Sequence, residues 1–147
     1  MDNADQIIIL CATFGLGKNY NESIIHDHVI FLLNEGFKIE IICEEGKSNN
    51  KGLTIKEIPE LFNYYNLNDI LTTKQSIISD KISSQKENLI KILEENIPES
   101  SKILIYDILN NFHYLDLVAS LREIIRLKLR NKWISFTYIP PEIELDK

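Results

Sequence analysis

The sequence has few of the features that mark disulfide-stapled, membrane-spanning or nucleic-acid-binding chains. It contains only two cysteines in 147 residues, Cys11 and Cys43, so a disulfide framework is not indicated. No apolar run approaches the roughly 18 residues that a membrane-spanning helix needs. Acidic residues outnumber basic ones by 22 to 16, and the net charge of −6 disfavours a protein that holds nucleic acid mainly through its phosphates.

Composition places the chain among ordinary globular proteins. Hydrophobic residues make up 44% of it and charged residues 26%, both close to average. A chain of this length buries roughly two-thirds of its unfolded surface, which is enough to form a core of its own. We therefore predict one domain over residues 1–147. Its first residues do not resemble a secretory signal, so we expect a cytoplasmic location.

Apolar residues are spaced in two ways along the chain. Short apolar runs typical of β-strands occupy residues 6–13, 37–43, 53–58, 102–107 and 133–138. Helical spacing of apolar residues extends over residues 24–33, 73–96 and 117–129. Asn19 and Glu22 resemble a capping pair before the first helix, and Gly36 follows its end. The predicted order is β-α-β-β-α-β-α-β, with residues 53–58 near a sheet edge and irregular or short helical structure over 61–73.

The first two predicted strands define the fold class. Residues 6–13 are apolar almost throughout and end in small side chains, which is typical of a strand buried on both faces. Together with the helix and the strand at 37–43 they form a βαβ unit, whose strands should be parallel and whose crossover should be right-handed. The sequence therefore predicts an α/β fold, a Rossmann-like three-layer sandwich with a mostly parallel sheet.

Ligands of such sheets bind outside the carboxyl ends of the strands, at the point where the strand order reverses. The loops to search therefore follow Thr13, Cys43, Asp107 and Tyr138. The first loop offers backbone amides at a helix N-terminus, which suit an anionic or hydroxyl-rich ligand, from Gly15, Leu16, Gly17 and Lys18. The alternative is that these glycines only turn the chain.

Two established glycine-rich phosphate motifs do not fit this loop. A Walker A motif requires glycine where Ala12 stands and a hydroxyl residue where Asn19 stands. A dinucleotide-binding motif requires a third glycine at the position of Tyr20. If the loop binds a dinucleotide without this motif, Glu44 or Glu45 at the end of the second strand is placed to bind its ribose.

Polar residues of the later loops are further candidates. Asp107 either binds a ligand hydroxyl or caps the next turn, and His113 either binds a hydroxyl or faces water. We expect no metal site at residues 26–28, because neighbouring helical positions point in different directions. Neither a Gly-x-Ser-x-Gly motif nor a Cys-His pair in a suitable context is present, so covalent nucleophilic catalysis has no support and the catalytic residues are unassigned.

One family resembles this pattern over most of the chain. The first strand, glycine loop, helix end and second strand of this chain resemble the start of the glycosyltransferase family 4-like N-terminal domain. They lie in residues 6–13, 14–17, 32–37 and 39–43. The later strand, acceptor-side loop, helix and following strand of that family are similar to residues 105–113, 117–125 and 133–138.

The resemblance implies the N-terminal, acceptor-binding half of a GT-B glycosyltransferase, which transfers a hexose from a nucleotide-sugar to a sugar or lipid-linked acceptor. It implies substrate-binding roles for Gly15, Leu16, Gly17, Lys18, Asp107, Asn111, His113 and Tyr138, with the loop amides near the leaving diphosphate. Tyr138 stands where relatives often carry a histidine, so no catalytic histidine is transferred. The domain alone would bind no cofactor, and the nucleotide-sugar donor would belong to a donor-binding domain that is absent from this chain. The chain is then a fragment, a subunit of a split enzyme or a domain with another role.

Two further expectations concern partners. Arg122, Arg126 and Arg130 either contact anionic lipid headgroups on the inner membrane face or form a solvated helix face. The alternative function is a non-catalytic Rossmann-like module that binds a nucleotide or another protein. A flavodoxin-like or receiver-like domain is the weakest alternative, because residues 11–13 supply no acidic pair after the first strand.

Overall fold

The computed structural model describes residues 6–18, 20–109, 111–127 and 131–136. Its strands are β1 (Gln6–Leu10), β2 (Thr13–Phe14), β3 (Lys38–Cys43), β4 (Glu45–Gly46), β5 (Leu53–Glu57), β6 (Lys102–Tyr106) and β7 (Lys132–Phe136). Its helices are α1 (Tyr20–Asn34), α2 (Leu67–Thr72), α3 (Gln75–Asn96) and α4 (Leu115–Leu127). Short 3-10 helices occupy Pro59–Leu61 and Phe112–Tyr114.

Five strands form one parallel sheet in the order β5-β3-β1-β6-β7. The strand β1 lies in the middle, and the side chains of Ile8, Ile9 and Leu10 are fully buried, as a strand covered on both faces requires. From β1 the chain moves outward through β3 to β5, and then crosses to β6 and continues to β7. The predicted α/β, Rossmann-like fold is confirmed, and its strand order reverses between β1 and β6.

The two faces of the sheet carry separate apolar cores. On one face, Ile25 and Val29 of α1 pack against buried side chains of β1 and β3. On the other face, Leu89 and Leu93 of α3 and Leu121 of α4 pack against the opposite side of β1, β3 and β6. The first turn of α1 lies at the reversal point, since Asn21 in that turn hydrogen-bonds to Asp107, which directly follows β6.

The connection from β3 to β5 contains no helix. Adjacent parallel strands are usually joined by a crossover of a dozen or more residues, often helical. Here residues 44–52 make the return, with β4 paired to β2 as a two-stranded extension. Among the described helices only α1 therefore contributes to the core on its face. The predicted edge position of residues 53–58 is confirmed for β5.

The predicted elements recur with small shifts. The segment over 61–73, which lacked a clean period, forms the end of a 3-10 helix and the six-residue helix α2. The short strands β2 and β4 were not predicted. The last strand runs from Lys132 to Phe136, and residues 137–138 of the prediction lie outside the described residues, as does Asn19. No described helix has the length and apolarity needed to cross a membrane.

Candidate ligand site at the carboxyl edge of the sheet

Asp107 follows β6 directly and connects three elements at the reversal point. Its backbone has φ +55°, an uncommon conformation for a residue other than glycine that aspartate tolerates better than most. Its N–H donates to the carbonyl oxygen of Phe136 over 2.7 Å. Its carboxylate oxygen Oδ2 accepts a hydrogen bond of 3.2 Å from Nδ2 of Asn21, in the first turn of α1. The side chain of Asn111 donates to its carbonyl oxygen over 3.4 Å.

Two cavities adjoin these groups. The first, of about 140 Å³, is lined by Cys11, Ala12, Thr13, Asn21, Ile25, Tyr106, Asp107, Asn111 and Tyr114. The second, of about 110 Å³, is lined by Asn21, Ile24, Ile25, His28, Tyr106, Asp107 and Phe136. Four residues, Asn21, Ile25, Tyr106 and Asp107, thus line both cavities. The structure therefore places an opening where the sheet geometry predicts a ligand, with the predicted Asp107 and Asn111 in it.

The glycine loop binds a carboxylate of its own chain. Glu22 is 5% exposed, and its side chain accepts hydrogen bonds from the backbone N–H groups of Leu16 (2.6 Å), Gly17 (3.2 Å) and Lys18 (2.7 Å). The Thr13 side chain also hydrogen-bonds to it. Burial alone raises the pKa of this carboxyl, but the N–H groups of Leu16 and Lys18 lead a set of donors that brings it below its ordinary value. Three of the four amides expected to face a ligand, those of Leu16, Gly17 and Lys18, are thus occupied internally.

Gly15 and Lys18 fix the course of this loop. Gly15 has φ +72°, and a Cβ atom built on it would lie 2.1 Å from the carbonyl oxygen of Lys47, so only glycine fits here. The Nζ of Lys18 donates to Oε1 of Glu45 over 2.8 Å at the protein surface. This ion pair engages both the cation of the loop and one of the two carboxylates considered for a ribose.

His113 lies near the cavities but outside their linings. Its Nδ1 is 2.8 Å from the carbonyl oxygen of Tyr65, and because a carbonyl only accepts, this nitrogen carries the proton. The N–H of Tyr65 donates back to the carbonyl oxygen of His113 over 2.7 Å. The His113 ring stacks on the Tyr64 ring with centroids 4.4 Å apart, while the Tyr64 side chain stays largely exposed. In this structure His113 ties the segment after β5 to the segment after β6.

A buried carboxylate, that of Asp116, also holds the segment after β5 in place. Asp116 is fully buried in the first turn of α4, and it accepts hydrogen bonds from the Tyr65 hydroxyl (2.6 Å) and from Nδ2 of Asn63 (2.9 Å). Burial, reinforced by the bond to Asp116, raises the pKa of the Tyr65 phenol well above its usual range. The phenol therefore stays protonated and remains a donor.

Asn21, His28 and Tyr106 are among the lining residues that the sequence does not single out. Asn21 lies in the first turn of α1, His28 lies about two turns further along that helix, and Tyr106 is the last residue of β6. Nδ1 of His28 is 2.7 Å from the Tyr106 hydroxyl oxygen, and the Tyr106 ring stacks on Phe136. A polar residue in the first turn of the helix that follows β1 is the sequence signal that points to Asn21.

The cysteines and the other histidine add no chemistry to the site. Burial raises the pKa of the Cys11 thiol, and burial together with the Glu57 carboxylate raises that of Cys43 to about 12, so both thiols stay protonated. His26 is exposed, forms a 3.8 Å contact with Asp27, and stacks on the Phe14 ring with centroids 6.4 Å apart. In the part of the chain that the structure describes, no three His, Cys, Asp or Glu side chains are grouped to hold a metal ion.

The remaining predicted residues are distributed as follows. Arg122 is exposed on α4, and the guanidinium of Arg126 donates to both carboxylate oxygens of Glu123 at 2.8 Å. Tyr138 and Arg130 lie outside the described residues, so their predicted roles stay predictions.

Comparison of the chain with solved protein structures identifies the class of its fold. No protein-family model matches the sequence, and no curated protein sequence matches it. The solved structures contain a match with a GT-B glycosyltransferase, so the chain has a glycosyltransferase-like, Rossmann-type α/β fold. That match is trehalose-6-phosphate synthase from E. coli bound with UDP-2-fluoro glucose, with a TM-score of 0.56 and 15% identity over 96% of this chain.

The chain corresponds to 35% of the length of that synthase. At 15% identity the likeness shows the fold alone. The finer resemblance to the glycosyltransferase family 4-like N-terminal domain stays a prediction.

Proposed function

We propose that this chain is the acceptor-binding half of a nucleotide-sugar-dependent glycosyltransferase, which transfers a hexose to a sugar or lipid-linked acceptor. The observation that carries the proposal is the match of 96% of the chain to about a third of a GT-B glycosyltransferase. In this function the donor is held by a second domain, in the same protein or in a separate subunit, and the chain itself binds no cofactor.

The carboxyl edge supports an acceptor role. Asp107 presents a carboxylate, and Asn21 and Asn111 present amides, at cavities otherwise lined mostly by apolar and aromatic groups. A few convergent polar groups within an apolar lining are typical of a small-molecule site. Carboxylates accept, and amides both donate and accept, the hydrogen bonds that hydroxyl groups form. In this proposal the glycine loop, residues 15–18, and His113 act beside the site, since none of them lines either cavity.

A lipid-linked acceptor would add a membrane contact. Among the described residues Arg122 supports such a contact, because it is exposed on α4, whereas Arg126 is already paired with Glu123. With Arg130 as a further contributor, the protein would then lie on the inner membrane face as a peripheral protein.

The alternative function is a non-catalytic module. A protein-binding version of it would use exposed apolar side chains, of which Leu71 (75% exposed), Phe31 (63%) and Leu127 (62%) lie on three different helices. A dinucleotide-binding version has less support, because the amides that would hold a pyrophosphate are bonded to Glu22.

Chemical-shift mapping of the purified chain tests the function. We expect a panel of hexoses and hexose phosphates to include a ligand that shifts the backbone amides of Thr13, Asn21 and Asp107, while NAD and UDP-glucose leave them unchanged at equal concentration. Stronger shifts with NAD would support the nucleotide-binding module instead. The absence of any response to the sugar panel would contradict an acceptor role.

A further inference from the structure

The charges around the two cavities are unusual for a site that holds a phosphorylated ligand. Among the described residues neither lining contains a lysine or an arginine, whereas Asp107 lies in both. Behind Thr13, the buried carboxylate of Glu22 adds a second negative charge. The cation of the glycine loop, Lys18, is paired with Glu45. A phosphate brought into these cavities would therefore lose water beside carboxylates without gaining a cation.

Glu22 also fills the position where this loop would hold an anion. Successive backbone N–H groups at the start of a helix are a favourable environment for phosphate. Here three of them, from Leu16 to Lys18, donate to one carboxylate of the same chain. Phosphate would have to displace a buried, multiply hydrogen-bonded group in order to use them.

The side-chain oxygen of Asn21 is a hydrogen-bond acceptor to which no described residue donates. This Oδ1 atom is buried and has no hydrogen-bond partner among the described residues. The orientation of the amide is fixed, because Nδ2 donates to the Asp107 carboxylate and the flipped amide would place two oxygens together. An unpaired buried acceptor costs about 1–3 kcal/mol, so a donor brought to it is favoured. A ligand hydroxyl is such a donor, whereas a fully ionised phosphate is not.

We propose that the cavities at Asn21 and Asp107 take an uncharged, hydroxyl-bearing ligand such as an unphosphorylated sugar, and discriminate against its phosphate ester. This inference rests on the proposed function and names the acceptor class for the same site. The ligand hydroxyls donate to Oδ1 of Asn21 and to the Asp107 carboxylate. The discrimination comes from the acidic lining, whose described residues include no lysine or arginine, and from the occupied amides of Leu16, Gly17 and Lys18.

Paired ligands test the discrimination directly. We would titrate the labelled 147-residue chain with glucose, mannose and galactose, and separately with the 6-phosphate of each, following the amides of residues 12–13, 21 and 107. The expected result is saturable shifts with at least one free hexose and binding about tenfold weaker or more for its phosphate. Equal or tighter binding of the phosphate at these amides would overturn the inference and leave the proposed function standing. No response to either member of any pair would overturn both.

Asp107→Asn separates charge from shape. Asparagine is nearly isosteric with aspartate and adopts positive φ readily, so this variant is expected to fold. Its preference for the free hexose over the phosphate should fall about tenfold, because one negative charge leaves the cavity lining. Asp80→Asn, at an exposed position of α3, is the matched control and should keep the wild-type preference. Equal preferences in the two variants would contradict the role given to Asp107.

Asn21→Ala tests the unpaired acceptor. Affinity for the free hexose should drop at least about fivefold, since one charge-neutral hydrogen bond to the ligand is lost. Asn34→Ala, at the exposed end of the same helix, should leave the affinity unchanged. An unchanged affinity in Asn21→Ala would overturn the assignment of Oδ1 to a ligand hydroxyl, and the thermal unfolding of both variants would show whether each is folded.

Discussion

Glu22→Ala is the substitution with the clearest expected effect on stability. It removes a buried carboxylate that accepts hydrogen bonds from three loop amides and from Thr13. A hydrogen bond to a charged group contributes roughly 1.5–3 kcal/mol to stability. Gly17 and Lys18 are exposed, so water takes over part of these bonds in the variant, and we expect a net loss of about 2–3 kcal/mol. For a chain of this size this corresponds to a decrease in Tm of about 5–10 °C.

The loss should depend on pH in a definite direction. The folded-state pKa of Glu22 is lowered, because the amide donors outweigh the effect of burial. Its stabilisation is therefore complete above the unfolded carboxyl pKa of about 4.3, and is lost as the pH falls through the lower folded value. Urea denaturation at pH 7, 5 and 3.5 measures this directly. The difference in the free energy of unfolding between wild type and variant should therefore be smaller at pH 3.5 than at pH 5 or pH 7.

The matched control is Glu94→Ala, which removes a carboxylate from an exposed position on α3. Its effect should stay within about 0.5 kcal/mol at every pH. If Glu22→Ala costs no more than Glu94→Ala, or if its cost is the same at pH 7 and pH 3.5, the internal-anion interpretation of the glycine loop is wrong.

Two further predictions compare neighbouring residues of one type. Tyr65→Phe removes the donor to the buried carboxylate of Asp116 and should lower the free energy of unfolding by about 1–3 kcal/mol. Tyr64 is mostly exposed, so Tyr64→Phe should change this free energy by less than about 0.5 kcal/mol. Urea denaturation measures both. Gly15→Ala should lower the Tm more than Gly17→Ala. Both glycines have positive φ, but only at Gly15 would the added Cβ collide with a carbonyl oxygen, that of Lys47. Equal losses within either pair would refute the contact that distinguishes its members.

The three inner strands of the sheet, β1, β3 and β6, were predictable because they are mostly apolar and are covered on both faces. The runs around Ile8, Ile41 and Ile103 contain too few polar residues for a strand with one face in water, and all three side chains are fully buried. The pairing of β2 with β4 was not predictable, because each is two residues long and depends on how two loops meet. The same holds for α2, none of whose side chains is buried.

The candidate site was predictable in position more than in chemistry. Asp107 and Asn111 follow the strand that borders the reversal point, and the rule for parallel sheets locates both. Glu22 was interpreted as part of a capping pair with Asn19. Its carboxylate also reaches residues four to six positions earlier, because the glycines turn the loop back over the helix start, while the pairing with Asn19 lies outside the described residues and stays a prediction. A contact of that kind depends on the tertiary path of the loop, which local spacing does not encode.

The central position of β1 has a consequence during synthesis on the ribosome. Its partner on one side, β3, follows within 40 residues, but its partner on the other side, β6, begins only at Lys102. At a synthesis rate of about 5–20 residues per second, the apolar strand β1 has one edge without its hydrogen-bonding partner for roughly 5–20 s. Such a flank is prone to pair with other chains, so a pause before residue 102 would raise the risk of aggregation, and a chaperone bound to residues 6–10 would lower it.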